Sequence, residues 1–416
     1  MNGAGQSTER VDTRCCIVGG GPAGMMLGYL LARAGIDVLV LEKHADFLRD
    51  FRGDTIHPST LELMYELGLL EKFLQRPHDE MRQLTGWIGD SHLRVADLTH
   101  LPTHCKFIAF MPQWEFLNFF AEEAKRYPSF RLLMNTEATD LLVEDGLVAG
   151  VRAKSQQGQV DVHAGLTVSA DGRHSVIRQK AGLEIINLGA PMDVLWMRIS
   201  RSEDDPQITL GRVDAGRILV MLNRRTYWQC ALVIPKGAYD ELRARGLPAF
   251  RAQLTALAPF LRSRVEELAD WEQIKLLTVM VDRLKRWWRP GLLCIGDAAH
   301  AMSPIGGVGI NLAIQDAVAA ANILASPLST RAAHDNELAS VQRRREFPTR
   351  ATQRMQIVIQ NNVIKRVLGS THIRAPRILK LVDRWPLLQR IPGTVLGLGF
   401  RPEHIKTPAS TAPSRA

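Results

Sequence analysis

The chain has 416 residues, 46% hydrophobic and 23% charged, an ordinary globular balance in a chain long enough for two lobes and a sizeable core. Its formal charge of +9 is not a global property: residues 341–416 hold 15 Lys and Arg against Glu346, Asp383 and Glu403, while residues 1–340 hold 37 basic and 40 acidic residues. No basic stretch is interleaved with aromatics as a binding module would be, which excludes a nucleic-acid partner.

Residues 1–12 are polar, so no secretory signal is expected. No apolar run is expected to span a bilayer. The cysteines (Cys15, Cys16, Cys105, Cys230 and Cys294) are odd in number and lack CxxC spacing. That pattern argues against a disulfide framework or a metal site and points to a reducing cytoplasm.

In chain order, residues 13–18 (TRCCIV) form an apolar strand followed at once by glycines. Residues 22–34 predict a helix with Pro22 in its first turn, where the missing N–H is harmless, and Gly35 as its stop. Residues 37–42 (DVLVLE) predict a second buried strand, which completes a βαβ entry unit. Leu61, Met64, Leu67 and Leu70 recur at helical spacing within 59–76. Short strands follow over about 80–111, a helix over 113–126, and alternating strands over 130–170 with turns near 144–146 and 156–158. Strands dominate 190–235, a helical stretch covers about 237–269, and a strand covers 273–281. A buried strand at 291–296 and a long apolar helix at 307–325 come next. The rest is helical and ends in a Pro/Ser/Thr/Ala-rich tail of disordered composition.

Three motifs carry chemistry. Gly19-Gly20-Gly21-Pro22-Ala23-Gly24 is a GxGxxG between a strand and a helix. Gly19 permits the turn, Gly21 lets backbone approach a pyrophosphate, and Gly24 lets helix and strand pack closely. The helix N-terminus offers amides and a positive dipole end to that anion. Glu42 ends the second strand at the distance where an acid binds ribose hydroxyls, favouring an unphosphorylated ribose. The second motif is Gly296-Asp297-Ala298-Ala299-His300, followed by Pro304-Ile305-Gly306-Gly307-Val308-Gly309-Ile310-Asn311 at the head of the long helix. Its aspartate suits hydroxyls, such as those of a ribityl chain. In the third, an apolar strand ends at Ser169, and Asp171-Gly172 is followed by Ser175 and Arg178.

At these residues the chain resembles the class A flavoprotein monooxygenases, the p-hydroxybenzoate hydroxylase-like group. Residues 171–178 fit that family's D-G-x-x-S-x-x-R pattern without a gap, and residues 296–311 fit its G-D…P…G-x-G-x-N pattern. The resemblance covers about residues 10–345. It implies an α/β fold: a Rossmann-like FAD-binding domain (three-layer ββα), an interleaved substrate domain built on an antiparallel β-sheet, and C-terminal helices. The expected division is 10–79, 112–185 and 283–340 for FAD, and 80–111 and 186–282 for substrate. A C-terminal helical segment at 341–405 and a disordered tail at 406–416 complete it.

By the same resemblance, FAD would be held by Gly19, Gly21, Pro22, Ala23, Gly24, Glu42 and Lys43. Arg52 and Gln113 would reach its phosphate and ribose, while Asp171 and Gly172 would serve FAD and the approach of NAD(P)H. Gly296 and Asp297 would meet the ribityl–pyrophosphate region. Backbone at Gly307, Gly309, Ile310 and Asn311 would border the isoalloxazine. Pro304 and Gly307 would lie nearest the reacting oxygen, with positional duties only. The activity implied is hydroxylation of a small, aromatic substrate through a flavin C4a-hydroperoxide, with NADPH or NADH and O2 as co-substrates. A second GxGxxG fingerprint is absent, so the nicotinamide is a transient visitor. Two rivals remain open: an FAD reductase or dehydrogenase of the same fold, and a non-catalytic flavin-binding protein acting through its basic tail.

Trp196, Arg198, Tyr227 and Gln229 fall on strands that would wall the substrate cavity, where packing and pocket lining are equally compatible with the pattern. His57, His78 and His300 suit loop or cap roles, and Trp287-Trp288 suits packing. The basic segments 354–368 and 373–391 mix Ile, Val, Leu and Trp385 with Arg and Lys. They could touch a membrane surface or dock their apolar faces on the catalytic body. Nothing in the pattern specifies an oligomeric state.

Overall fold

The computed structural model describes residues 8–48, 55–206, 210–214, 216–370 and 373–410. Strand Glu9–Val18 runs up the middle of an eight-stranded sheet. It pairs in parallel with Val38–Leu41 on one side and Gln159–Ser169 on the other. Phe130–Leu133 and Leu292–Cys294 extend this parallel core, and all of Val38–Leu41 is buried. A parallel strand covered on both faces needs such an unbroken apolar run. Helices Pro22–Arg33, Gln113–Ala124 and Gly309–Thr330 pack together with one face of the sheet. A meander of Glu137–Glu144, Leu147–Lys154 and Gln159–Ser169 forms the third layer. Its first turn falls at Asp145 and Gly146, both with positive φ.

A seven-stranded sheet draws Gln83–Ile88 and Ser91–Asp97 from one stretch and the rest from 192–277. One face of its central strands, carrying Leu195, Met197, Ile199, Trp228 and Cys230, is covered by Phe250, Leu254 and Leu257 of helix Leu247–Leu257. The opposite face carries Met192, Val194 and Trp196, which pack with Ile305, Ile364 and Val367.

The helix expected across 59–76 divides into Pro58–Glu66 and Leu70–Leu74, because the chain turns at Gly68 with φ +70°. The stretch expected at 237–269 likewise becomes Tyr239–Ala244 and Leu247–Leu257, separated at Gly246 with φ +84°. The expectation that no run could span a membrane needs correction. Helix Ile305–Thr330 is long and apolar enough to do so by length and composition, yet 78% of its apolar window is buried within the protein.

The C-terminal arm begins with helix Asp335–Ile359 and ends with helices Arg377–Arg384 and Pro386–Leu398. Beyond these the helical expectation fails: residues 402–410 run without helix along the first lobe. The Glu403 amide donates to Gln315 Oε1, Ile405 N–H donates to Glu66 (2.7 Å), and Ser410 N–H donates to the Arg33 carbonyl (2.8 Å). Residues 406–410, disordered by composition, are therefore held by backbone bonds; 411–416 lie outside the described residues.

Candidate functional site

The first strand leaves the sheet through Gly19 (φ +106°), and helix Pro22–Arg33 starts with Gly21 as its N-cap and no side chain capping it. Its first-turn amides therefore have no intrahelical acceptor and face an anion's natural position. Gly24 must lack a side chain, because an added Cβ would overlap the Gly19 carbonyl oxygen. Gly21 differs: a Cβ there would meet nothing within 4 Å, so open space lies before the helix end. Glu42, 8% exposed, accepts the Gly20 and His44 amides at 2.9 and 3.1 Å. An ionised carboxylate only accepts, a chemistry that suits hydroxyl donors such as those of a ribose. Lys43 is exposed, Gln113 is half-buried at the start of its helix, and Arg52 lies outside the described residues.

The second glycine turn closes on the first. An added Cβ at Gly296 would sit 3.1 Å from Ala313 Cβ and 3.3 Å from Ala23 Cβ, so this residue packs between the first turn of one helix and the second turn of the other. Asp297 is partly open and meets Arg173 Nη2 at 3.3 Å. In the third motif, Asp171 accepts the Ser169 hydroxyl at 2.6 Å, and Ser175 caps helix Val176–Lys180 by accepting the Arg178 amide. Arg178, 2% exposed, reaches Asp282 (3.3 Å) and the Ala298 carbonyl (3.4 Å), fastening this motif to the second. Gly172 turns between them with φ +85°.

Pro304 opens the 3-10 turn Ile305–Gly307, and its carbonyl accepts the Gly307 amide at 3.0 Å. Gly307 combines φ +63° with a close approach to Thr55, whose hydroxyl donates to its carbonyl at 2.8 Å. Gly309 and Ile310 start the long helix, again with no side-chain cap. Asn311 turns its side chain inward. Its Oδ1 accepts the His57 amide (2.9 Å) and the Thr60 hydroxyl (2.8 Å), and its Nδ2 donates to the Thr55 carbonyl (2.9 Å). The asparagine thus holds the turn's shape.

His57, beside this turn, is 1% exposed, and its Nδ1 donates to the Leu396 carbonyl at 2.7 Å. Burial pushes its imidazole down to about 4, with the Leu396 bond acting weakly the other way. In the unfolded chain it protonates near 6.5. The unfolded state therefore binds the extra proton in between, and stability present above pH 6.5 is lost as pH falls toward 4. The expected loss is about 3 kcal/mol. Thermal unfolding followed against pH should show this acid limb, and His57→Gln should flatten it.

His300 is a member of a buried ion network. Its Nε2 lies 2.6 Å from Asp316, which also accepts the Gly296 amide (3.1 Å) and Arg345 Nε (2.9 Å). Arg345 continues to Glu403 at 3.2 Å. Burial alone would raise the Asp316 pKa, but His300 and Arg345 outweigh it and hold it below the ordinary value. The expectation of a loop or cap role did not identify Asp316, Arg345 or Glu403; the only local signal was Asp316 within an otherwise apolar helix.

Trp196, Arg198, Tyr227 and Gln229 share one face of the seven-stranded sheet by register. They separate in environment. The Arg198 guanidinium lies 3.9 Å over the Tyr227 ring, and both line a cleft of about 410 Å³ with Ser200, Thr226, Glu267, Gln273 and Lys275. Gln229 is buried and accepts Arg224 Nε at 3.1 Å, while Trp196 packs beside Val194 and Val220. His78 Nδ1 donates within its own loop to the Arg76 carbonyl, and Trp287 is fully buried.

Residues 12–355 match the sequence model of a family described as FAD binding domain. The 6-methylpretetramide 4-monooxygenase of Streptomyces rimosus is 31% identical over 388 residues, which cover 92% of each chain. A Bacillus subtilis protein described as an uncharacterized aromatic compound monooxygenase is 25% identical over 305 residues, and there the match spans 59% of the relative's length. In fold, the chain is similar to p-nitrophenol 4-monooxygenase from Pseudomonas putida DLL-E4. The TM-score is 0.72 at 18% identity, covering 94% of this chain and 95% of that one.

Proposed function

This chain belongs to the FAD-binding family of class A flavoprotein aromatic monooxygenases, and on that premise we propose that it hydroxylates a small phenolic substrate using NADPH or NADH and O2. The observation that carries the reading is the uncapped N-terminus of helix Pro22–Arg33, with open space before Gly21 and the second glycine turn packed against its Ala23 at Gly296. A positive dipole end and a side-chain-free approach fit a dinucleotide's pyrophosphate.

In this reading the amides of Ala23 and Gly24 take the pyrophosphate, with Gly19, Gly21 and Pro22 shaping the approach. Glu42 takes ribose hydroxyls, and Lys43 and Gln113 flank them. Asp297, held by Arg173, takes the ribityl chain. Asp171 and Gly172 border the path of the nicotinamide. Backbone at Gly307, Gly309, Ile310 and Asn311 frames the ring system, and Pro304 fixes the turn in front of it. Bound FAD, once reduced by NAD(P)H, supplies the activated oxygen. The protein's part is to fix that turn through Thr55 and Asn311 and to exclude water beside it. The cleft at Arg198 and Tyr227 falls within the volume range of small-molecule sites. Arg198 and Lys275 stand there against the single carboxylate of Glu267, and the remaining positive charge suits a phenolate oxygen. Segments 10–79, 112–185 and 283–340 act as the flavin lobe, and 80–111 with 186–282 as the substrate lobe.

Oxygen uptake driven by NADPH or NADH should rise on adding a phenolic substrate, and the product should gain one oxygen atom by mass spectrometry. Flavin reduction with no substrate-dependent oxygen incorporation, across a panel of phenols, quinolones and polyketide-like aromatics, would replace this reading with a reductase.

A further inference from the structure

The C-terminal helix pair has two unlike faces. The inner face of Pro386–Leu398 packs on strand Ser91–Asp97, with Gly393 against the Asp97 backbone and Gly397 against Leu98 and Leu101. The outer face is apolar and open: Ile378 is 63% exposed, Leu381 46%, Trp385 56%, Leu387 65% and Ile391 64%. Ile378, Leu381 and Trp385 stand at i, i+3 and i+7, and Leu387 and Ile391 at i and i+4, so each set forms one stripe. No residue of Arg377–Arg384 is buried. Monomeric proteins rarely leave such a run of large apolar side chains in water.

The charges beside the stripe are of one sign. Arg377, Lys380 and Arg384 repeat the i, i+3, i+7 spacing one position away, and Arg374 and Arg390 flank them; all five are exposed. Asp383 is the only acid in 374–391, and its carboxylate accepts the Arg94 amide at 2.8 Å.

We propose that this face docks on an anionic lipid surface. The apolar stripes, with Trp385 at their junction, enter the boundary of the acyl chains, and the arginine–lysine ridge meets the lipid phosphates. Charge complementarity selects this occupant. Twofold pairing with a second copy would set one basic ridge near another. The docked arm stands beside the glycine turn, since Leu396 lies 3.4 Å from where a Gly306 Cβ would be and its carbonyl holds His57.

The test sediments the full-length flavin-loaded protein with vesicles of phosphatidylcholine, alone or with phosphatidylglycerol. Protein should pellet with the anionic vesicles and stay in the supernatant with the neutral ones. Arg377→Glu combined with Arg384→Glu should lower partitioning at least ~25-fold, at roughly fivefold per basic residue removed. Leu387→Glu combined with Ile391→Glu should lose binding as well. Both variants should keep the wild-type thermal midpoint and flavin content, which separates lost docking from lost folding. Wild-type protein that ignores anionic vesicles, or double variants that still pellet, would overturn the proposal. A dimer in light scattering that Leu387→Glu/Ile391→Glu dissolves would overturn it in favour of a second copy. The pellet is read without turnover, so the result stands apart from the hydroxylase reading.

Discussion

A Gly21→Val protein should fold with wild-type secondary structure and emerge from purification without yellow colour. Gly21 sits at φ −73° and ψ −177°, extended backbone that any residue adopts, and a side chain there meets no protein atom within 4 Å. The valine therefore costs the empty protein little. It does fill the space where the pyrophosphate would approach the amides of helix Pro22–Arg33. A loss of FAD affinity of at least about 100-fold, or ~3 kcal/mol, is expected. Titration of the empty protein with FAD, followed by flavin fluorescence, measures it. Gly24→Ala supplies the contrast: its methyl group would overlap the Gly19 carbonyl, so folding itself should suffer. If Gly21→Val binds FAD as wild type does, the flavin does not lie at this helix end.

The second large effect lies far from that groove in sequence. Arg345→Met should destabilise the protein by about 3–5 kcal/mol, because it leaves Asp316 and Glu403 buried with one cation fewer. Arg345 is 1% exposed and Asp316 0%, so solvent cannot replace the lost partner. Urea denaturation monitored by tryptophan fluorescence reads the change. Adding Asp316→Asn to Arg345→Met should recover part of the loss, since the stranded charge is then removed. A single variant that unfolds at the wild-type urea concentration would mean that the network contributes nothing. Asp316 also accepts the Gly296 amide, so flavin affinity should weaken in Arg345→Met even where the protein stays folded.

The parts of the site legible in sequence are those where one short segment carries its own reason. Gly19 to Gly24, with Glu42 at the end of the next strand, spells strand, turn, helix and acid within a single βαβ unit. The pattern from Gly296 to Asn311 is equally local. Ser175 and Arg178 were visible by spacing, but their work was not: one caps its helix, and the other reaches Asp282 across 104 residues. His57 was legible only as a loop histidine, since its partner Leu396 lies 339 positions away. The extended path of 402–410 was hidden for a related reason. Its composition is that of a free tail, and it is ordered by bonds to Gln315, Asn322 and Arg33 on other elements. Helix breaks at Gly68 and Gly246 were signalled by the glycines themselves and masked by apolar periodicity on both sides.

The fastening of residues 403–410 onto the first lobe has a consequence for the order of events during synthesis. Thr407 and its partner Arg33 are 374 positions apart, and Glu403 completes the charge balance around Arg345. A nascent chain still threaded in the ribosomal tunnel at that point holds Arg345 with only part of its counter-charge. Maturation of the first lobe therefore waits until residues 403–410 have left the tunnel and can reach Arg33 and Arg345.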